Sequence, residues 1–63
     1  MVITIMDGGG AGNRLVLKSR DKRFIARYGE EVETTANNFY LASVEISSWV
    51  NNELKEECGF EID

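Results

Sequence analysis

The stretch Ser43 to Gly59, SVEISSWVNNELKEECG, is the segment the rest of the chain has to accommodate. Ile46, Trp49, Val50 and Leu54 recur at offsets of three, four and eight residues, which places all four on one face of a helix. Ser43 offers a hydroxyl at an N-cap, and Glu45 falls in a first turn, where the helix dipole favours an anion. Gly59 can take the left-handed conformation that ends a helix. The spacing predicts an amphipathic helix over 43–59, with the remaining residues packed against its apolar stripe.

Those remaining residues alternate more than they cycle. Val2-Ile3-Thr4-Ile5-Met6 is rich in β-branched side chains and reads as a strand. Asp7 to Asn13, DGGGAGN, is a loop, because consecutive glycines lose too much backbone entropy inside an element. It lacks the Gly-Lys-Ser/Thr of a P-loop, and Arg14-Leu15-Val16-Leu17 looks extended where a phosphate cradle needs a helix start. Arg14 to Ser19 and Lys22 to Tyr28 alternate apolar and polar residues on either side of Arg20-Asp21, which predicts a β-hairpin with a basic exposed side. Val16 and Ile25 fall with the basic set, so both faces are expected to be partly covered.

Gly29 to Ala42 is compatible with a helix through Val32, Ala36, Phe39 and Ala42, although Phe39-Tyr40-Leu41 also suits a short strand. One unbroken helix would turn Leu41 and Val44 outward, so a break near Ala42-Ser43 after a short first helix is expected. Phe60 to Asp63 fits an edge strand or a tail. The expected fold is a single small α+β domain over residues 1–63. It consists of an N-terminal strand plus a β-hairpin, forming a three-stranded antiparallel sheet, covered by the C-terminal helix.

Composition narrows the function. A core built from 63 residues supplies only about 3–5 kcal/mol of net stability, which leaves little room for a deep, shielded active site. One cysteine and no histidine exclude an internal disulfide and the usual zinc sites, and no cofactor is expected. Without such staples a chain of this length points to an intracellular, cytoplasmic setting, in the host cell if a phage encodes it. No apolar run approaches the roughly 20 residues that span a bilayer. Cys58 reads as a small buried hydrophobe, since no histidine can activate it and neighbouring acids oppose a thiolate. Trp49 reads as a core anchor.

Charge is segregated along the chain. Arg14, Lys18, Arg20, Lys22, Arg23 and Arg27 face only Asp21, a balance of +5. From Tyr28 onward nine acids face Lys55 alone, a balance of −8. Either half is a candidate surface for an oppositely charged partner, unless the two halves pair within the fold. Glu53 and Glu57 fall inside the apolar stripe of the expected helix, where they reach water, meet Arg23 or Arg27, or line a surface for a partner. One helical turn apart, they raise the question of acid-base catalysis, but no substrate pocket or tuned environment accompanies them. Carboxylates at Glu53, Glu56 and Glu57 also lack the loop spacing of a calcium site.

The expectation is therefore a non-catalytic inhibitor that occupies the basic, nucleic-acid-binding surface of another protein. Glu45, Glu53, Glu56, Glu57 and Glu61 are its candidate contacts. On size and charge, not shared sequence, it stands beside the small acidic inhibitors encoded by bacteriophages, anti-CRISPR proteins among them. The alternative is a small nucleic-acid-binding regulator using Arg20, Lys22, Arg23 and Arg27, with Phe24 and Tyr28 stacking on bases. Broken at Ser43, the C-terminal half also resembles a helix-turn-helix in the spacing of Ala36, Phe39, Leu41, Ile46 and Trp49. That resemblance implies Ser43, Glu45, Ser47, Ser48 and Asn52 as base-facing positions. It departs at Tyr40, where the family commonly has a turn glycine, and in its acidic second helix. A structural or assembly role, with a homodimer as its sign, is the third possibility.

Overall fold

A computed structural model describes residues 1–10 and 12–63, so Ala11 of the glycine loop lies outside the described residues. The elements are β1 (Val2–Asp7), β2 (Arg14–Lys18), α1 (Lys22–Tyr28), β3 (Val32–Thr35), α2 (Phe39–Asn52) and β4 (Gly59–Ile62). They form a compact α+β fold with one mixed four-stranded sheet, in the order β3-β2-β1-β4. β2 runs antiparallel to both β1 and β3, whereas β4 runs parallel to β1. The expected α+β class holds, but the sheet has a fourth strand, a different third strand and a second helix.

β1 and β2 follow from their β-branched and alternating residues, and the glycine loop joins them as a hairpin. Gly9, Gly10 and Gly12 all adopt positive φ there, a conformation that side chains resist. The register places Ile5 opposite Leu17, Leu17 opposite Val32, and Ile3 opposite Phe60, so these residues share one face of the sheet. That face carries the core of Ile3, Leu17, Phe24, Ile46 and Val50, the last three contributed by the helices. On the other face Val16 sits between Met6 and Glu33 and is still only 8 % exposed. Cover on both faces was the expectation from its place among the basic residues.

The expected basic hairpin does not form. Residues 22–28 form α1, and β2 pairs with β1 and β3 instead. Asp21 caps the helix, its Oδ1 accepting the Arg23 N–H at 2.8 Å, and Gly29 at φ 92° closes it with its N–H donated to Ile25 O. Phe24 and Tyr28, one turn apart, then point the same way with ring centroids 5.1 Å apart. Seven residues are too few for the two periods to separate. The caps at either end were the signal that distinguishes them.

The expected helix over 43–59 is also shifted. α2 begins at Phe39, with Asn38 at its cap position, and Ser43 lies inside it, donating its hydroxyl to Tyr40 O at 2.8 Å. Glu45 is therefore beyond the first turn. The helix ends at Asn52, after which Lys55, not Gly59, takes the left-handed conformation, and the Glu56 N–H reaches back to Val50 O. Gly59 opens β4 opposite Val2. No break occurs at Ala42-Ser43, so the helix-turn-helix arrangement does not form. Its supposed first helix is β3, a turn and the first turn of α2. The strand reading of Phe60 to Asp63 holds through Ile62, while Asp63 continues the ladder with its N–H on Ile5 O.

Candidate partner-binding surface

Folding brings the basic and acidic segments together at one end of the sheet. α1 starts just after β2, and the turn after α2 carries Glu53, Glu56 and Glu57 to the start of β4. Arg23 grips Glu56 with two hydrogen bonds, of 2.6 and 3.0 Å, and grips Asp21 with two more, of 2.8 and 3.0 Å. Planar guanidinium geometry makes such forked contacts the stronger class of ion pair. The α-amino group of Met1 adds a bond to Glu57 O at 2.7 Å and lies 3.7 Å from the Glu56 carboxylate. Arg27 is 3.9 Å from Glu53, with its guanidinium 5.1 Å from the ring centroid of Trp49 and 5.5 Å from that of Tyr28.

The five candidate acids are all exposed, but they are not equivalent. Glu56 and Glu53 are engaged by Arg23 and Arg27, while among the described residues Glu45, Glu57 and Glu61 form no ion pair. Glu53 caps α2 and Glu57 lies beyond the left-handed Lys55, so the two are not one helical turn apart as the sequence suggested. The four candidate bases divide in the same way. Arg20 and Lys22 are exposed and form no ion pair among the described residues, whereas Arg23 and Arg27 are engaged. Phe24 is fully buried, and Tyr28 packs between it and the edge of Trp49 at 5.5 Å, so neither ring is free to stack on a base.

The Arg23 cluster has an acid signature. Hydrogen bonds from the Arg23 side chain and main chain hold Asp21 down to about 2 from its ordinary 3.8, and the Arg23 side chain also depresses Glu56. A carboxyl lowered on folding contributes stability that is present above its unfolded pKa and lost as pH falls through the folded value. The melting temperature is therefore expected to decline from about pH 4 down to pH 2. Asp21→Asn is expected to lower it at neutral pH and to flatten that decline, both readable by thermal scans across the series. An unchanged slope in the variant would show that Arg23 does not hold this carboxylate in solution.

Tyr40, Leu41 and Val44 lie on the outer side of α2 at 72 %, 68 % and 43 % exposure, on the same helix as the unpaired Glu45. Val44 is three residues from Leu41 and four from Tyr40, so the three side chains are neighbours on the helix surface. α2 carries no lysine or arginine, so any charge beside this patch on the helix is negative. Leu41 and Val44 fall off the apolar stripe in the sequence itself, which is what argues there for a break; Tyr40 joins them only in the structure.

Cys58 is a free, half-buried thiol packed against the core, as is Trp49. Among the described residues no three His, Cys, Asp or Glu side chains are grouped to hold a metal ion, and no helix is long and apolar enough to cross a membrane. Comparison with protein-family models, with curated proteins and with solved structures finds no match to the chain. The fold and surface thus define a small α+β domain that displays unpaired carboxylates and an apolar helix face.

Proposed function

We propose that the protein is a non-catalytic inhibitor that binds the basic, nucleic-acid-binding surface of another protein. The observation that supports this reading is the internal neutralisation by Arg23 and Arg27. With those two bases engaged, the net charge of −4 is displayed chiefly through acids that have no partner of their own. Glu45, Glu57 and Glu61 are the proposed contact acids, with Glu53 and Glu56 at the margin. Tyr40, Leu41 and Val44 offer apolar anchors next to Glu45 on α2, whereas Glu61, in register with Thr4, lies on the sheet face that α2 does not cover and meets the partner there. Carboxylates presented where phosphates would lie compete with nucleic acid for the same cations. The anti-defence inhibitors of bacteriophages, of the anti-CRISPR kind, belong to this functional class.

The test begins with capture from a host lysate under nuclease treatment and a salt series. The recovered protein is then titrated against variants. Neutralising Glu45, Glu57 and Glu61 together to Gln is expected to weaken binding about tenfold at low salt and to flatten its salt dependence. Neutralising Glu53 and Glu56 is expected to do less to affinity, because their charges already face arginines. Affinity unchanged in the triple variant would overturn the reading. Nuclease-sensitive recovery of nucleic acid would do the same and redirect attention to Arg20 and Lys22.

A further inference from the structure

The register of β4 decides which of its main-chain groups are free. In a parallel ladder a strand engages its neighbour through the N–H and C=O of every second residue. Gly59 donates its N–H to Met1 O at 2.9 Å and Asp63 donates to Ile5 O at 3.0 Å, so Gly59, Glu61 and Asp63 face β1. Phe60 and Ile62 therefore direct their N–H and C=O away from the sheet, on the side where no strand follows β4. Such an edge is a template for another strand.

The surrounding side chains say which kind of strand. Ile62 is 85 % exposed and lines an open depression with Ile5, Leu15 and Phe39, joined there by Asp7 and Asp63. Among the described residues neither aspartate forms an ion pair, and the Asp7 carboxylate accepts a hydrogen bond only from the nearby Gly9 N–H. From Glu56 onward the chain holds four acids and no base. A second copy of β4 docked here would set carboxylate against carboxylate, which is destabilising across a strand pair. An extended segment alternating apolar and basic residues would instead place an apolar side chain against Ile62 and Phe39 and its cations beside Glu61 and Asp63. The opposite edge, β3, exposes no large apolar side chain.

We propose that β4 receives an extended basic segment of the partner protein by strand addition, with the main chains of Phe60 and Ile62 as its hydrogen-bonding partners. This rests on the reading of the chain as a binder of basic protein surfaces and states how that contact is made.

The probe is a fluorescein-labelled peptide KVKIKVK, compared with the same peptide N-methylated throughout, which keeps charge and side chains but can donate no main-chain hydrogen bond. Anisotropy titrations at low salt are expected to show the parent peptide binding at least about tenfold more tightly, with new hydrogen-exchange protection at the Phe60 and Ile62 amides. Ile62→Pro removes the outward N–H while leaving the β1 ladder in place, and is expected to weaken binding by a similar factor. If the proline variant does not fold, Ile62→Lys tests the other half of the contact: it keeps every main-chain bond, removes the apolar side chain and adds a cation that repels the basic peptide, and it is likewise expected to weaken binding of the parent peptide. Equal affinity for both peptides would overturn strand addition and leave the acidic-surface reading standing. Binding of neither peptide would count against both. Self-association of the free protein that disappears in Ile62→Pro would overturn the proposal by showing that a second copy fills the edge.

Discussion

Replacing Phe24 with alanine is expected to leave the chain largely unfolded at room temperature. Phe24 is the fully buried side chain that α1 contributes to the core of Ile3, Leu17, Ile46 and Val50, with Tyr28 packed partly buried beside it. Truncating a buried phenylalanine costs about 3–5 kcal/mol, from lost burial plus the cavity left behind. A core of this size supplies about 3–5 kcal/mol in total, so the two quantities are comparable and the folded state loses its margin. Urea titrations followed by the fluorescence of Trp49 of α2, the single tryptophan, which packs on Tyr28 of α1, read this directly. Ala26→Gly provides the contrast. At that exposed helical position only about 1 kcal/mol is expected to be lost, from helix propensity. A Phe24→Ala protein that still unfolds cooperatively near the wild-type midpoint would show that α1 is not packed as described.

Removing the last strand is expected to have an effect of similar size. Truncation after Cys58 deletes Phe60, whose ring meets that of Phe39 at 6.4 Å, and strips the parallel partner from β1. That exposes a row of main-chain groups beside Ile3 and Ile5, the kind of apolar edge that promotes aggregation. Loss of the folded far-UV spectrum and sedimentation as large species are the expected results. Single prolines resolve the cause. Glu61→Pro should destabilise the fold, because the N–H of Glu61 faces β1, whereas Ile62→Pro should not, because its N–H faces outward. A truncated protein that keeps its spectrum and stays monomeric would mean that residues 59–63 behave as a tail.

The exposed face of α2 has a different status. An unbroken helix puts Leu41 and Val44 in water, and a sequence that favours burial argues for a break there. The helix nevertheless runs from Phe39 to Asn52, because Phe39, Ala42, Ile46, Trp49 and Val50 all turn to the core when it does. Five residues held against the sheet outweigh the three, Tyr40 included, that are left outside. Positions where a locally consistent reading fails in this way tend to be functional, which agrees with assigning Tyr40, Leu41 and Val44 to partner contact.

Much of the molecule was legible in the residues themselves. The β-branched run of β1, the alternation of β2, the glycine connection between them and the apolar stripe through Ile46 and Val50 each carry a local preference strong enough to choose the element. The segregation of charge into a basic and an acidic segment was equally plain. Three matters were decided only by tertiary structure. Residues 22–28 fit either period over so short a run, and became a helix because caps were present at both ends and β2 already had a partner on each side. Val32 to Thr35 became β3 because pairing along β2 satisfies main-chain groups that its own weak propensity would not organise. Which acids stand without an ion pair was decided by contacts between residues far apart in the chain, Arg23 with Glu56 and Arg27 with Glu53. Local preferences over four to seven residues differ by little, so long-range pairing and burial settle what each short segment becomes and which charges remain at the surface.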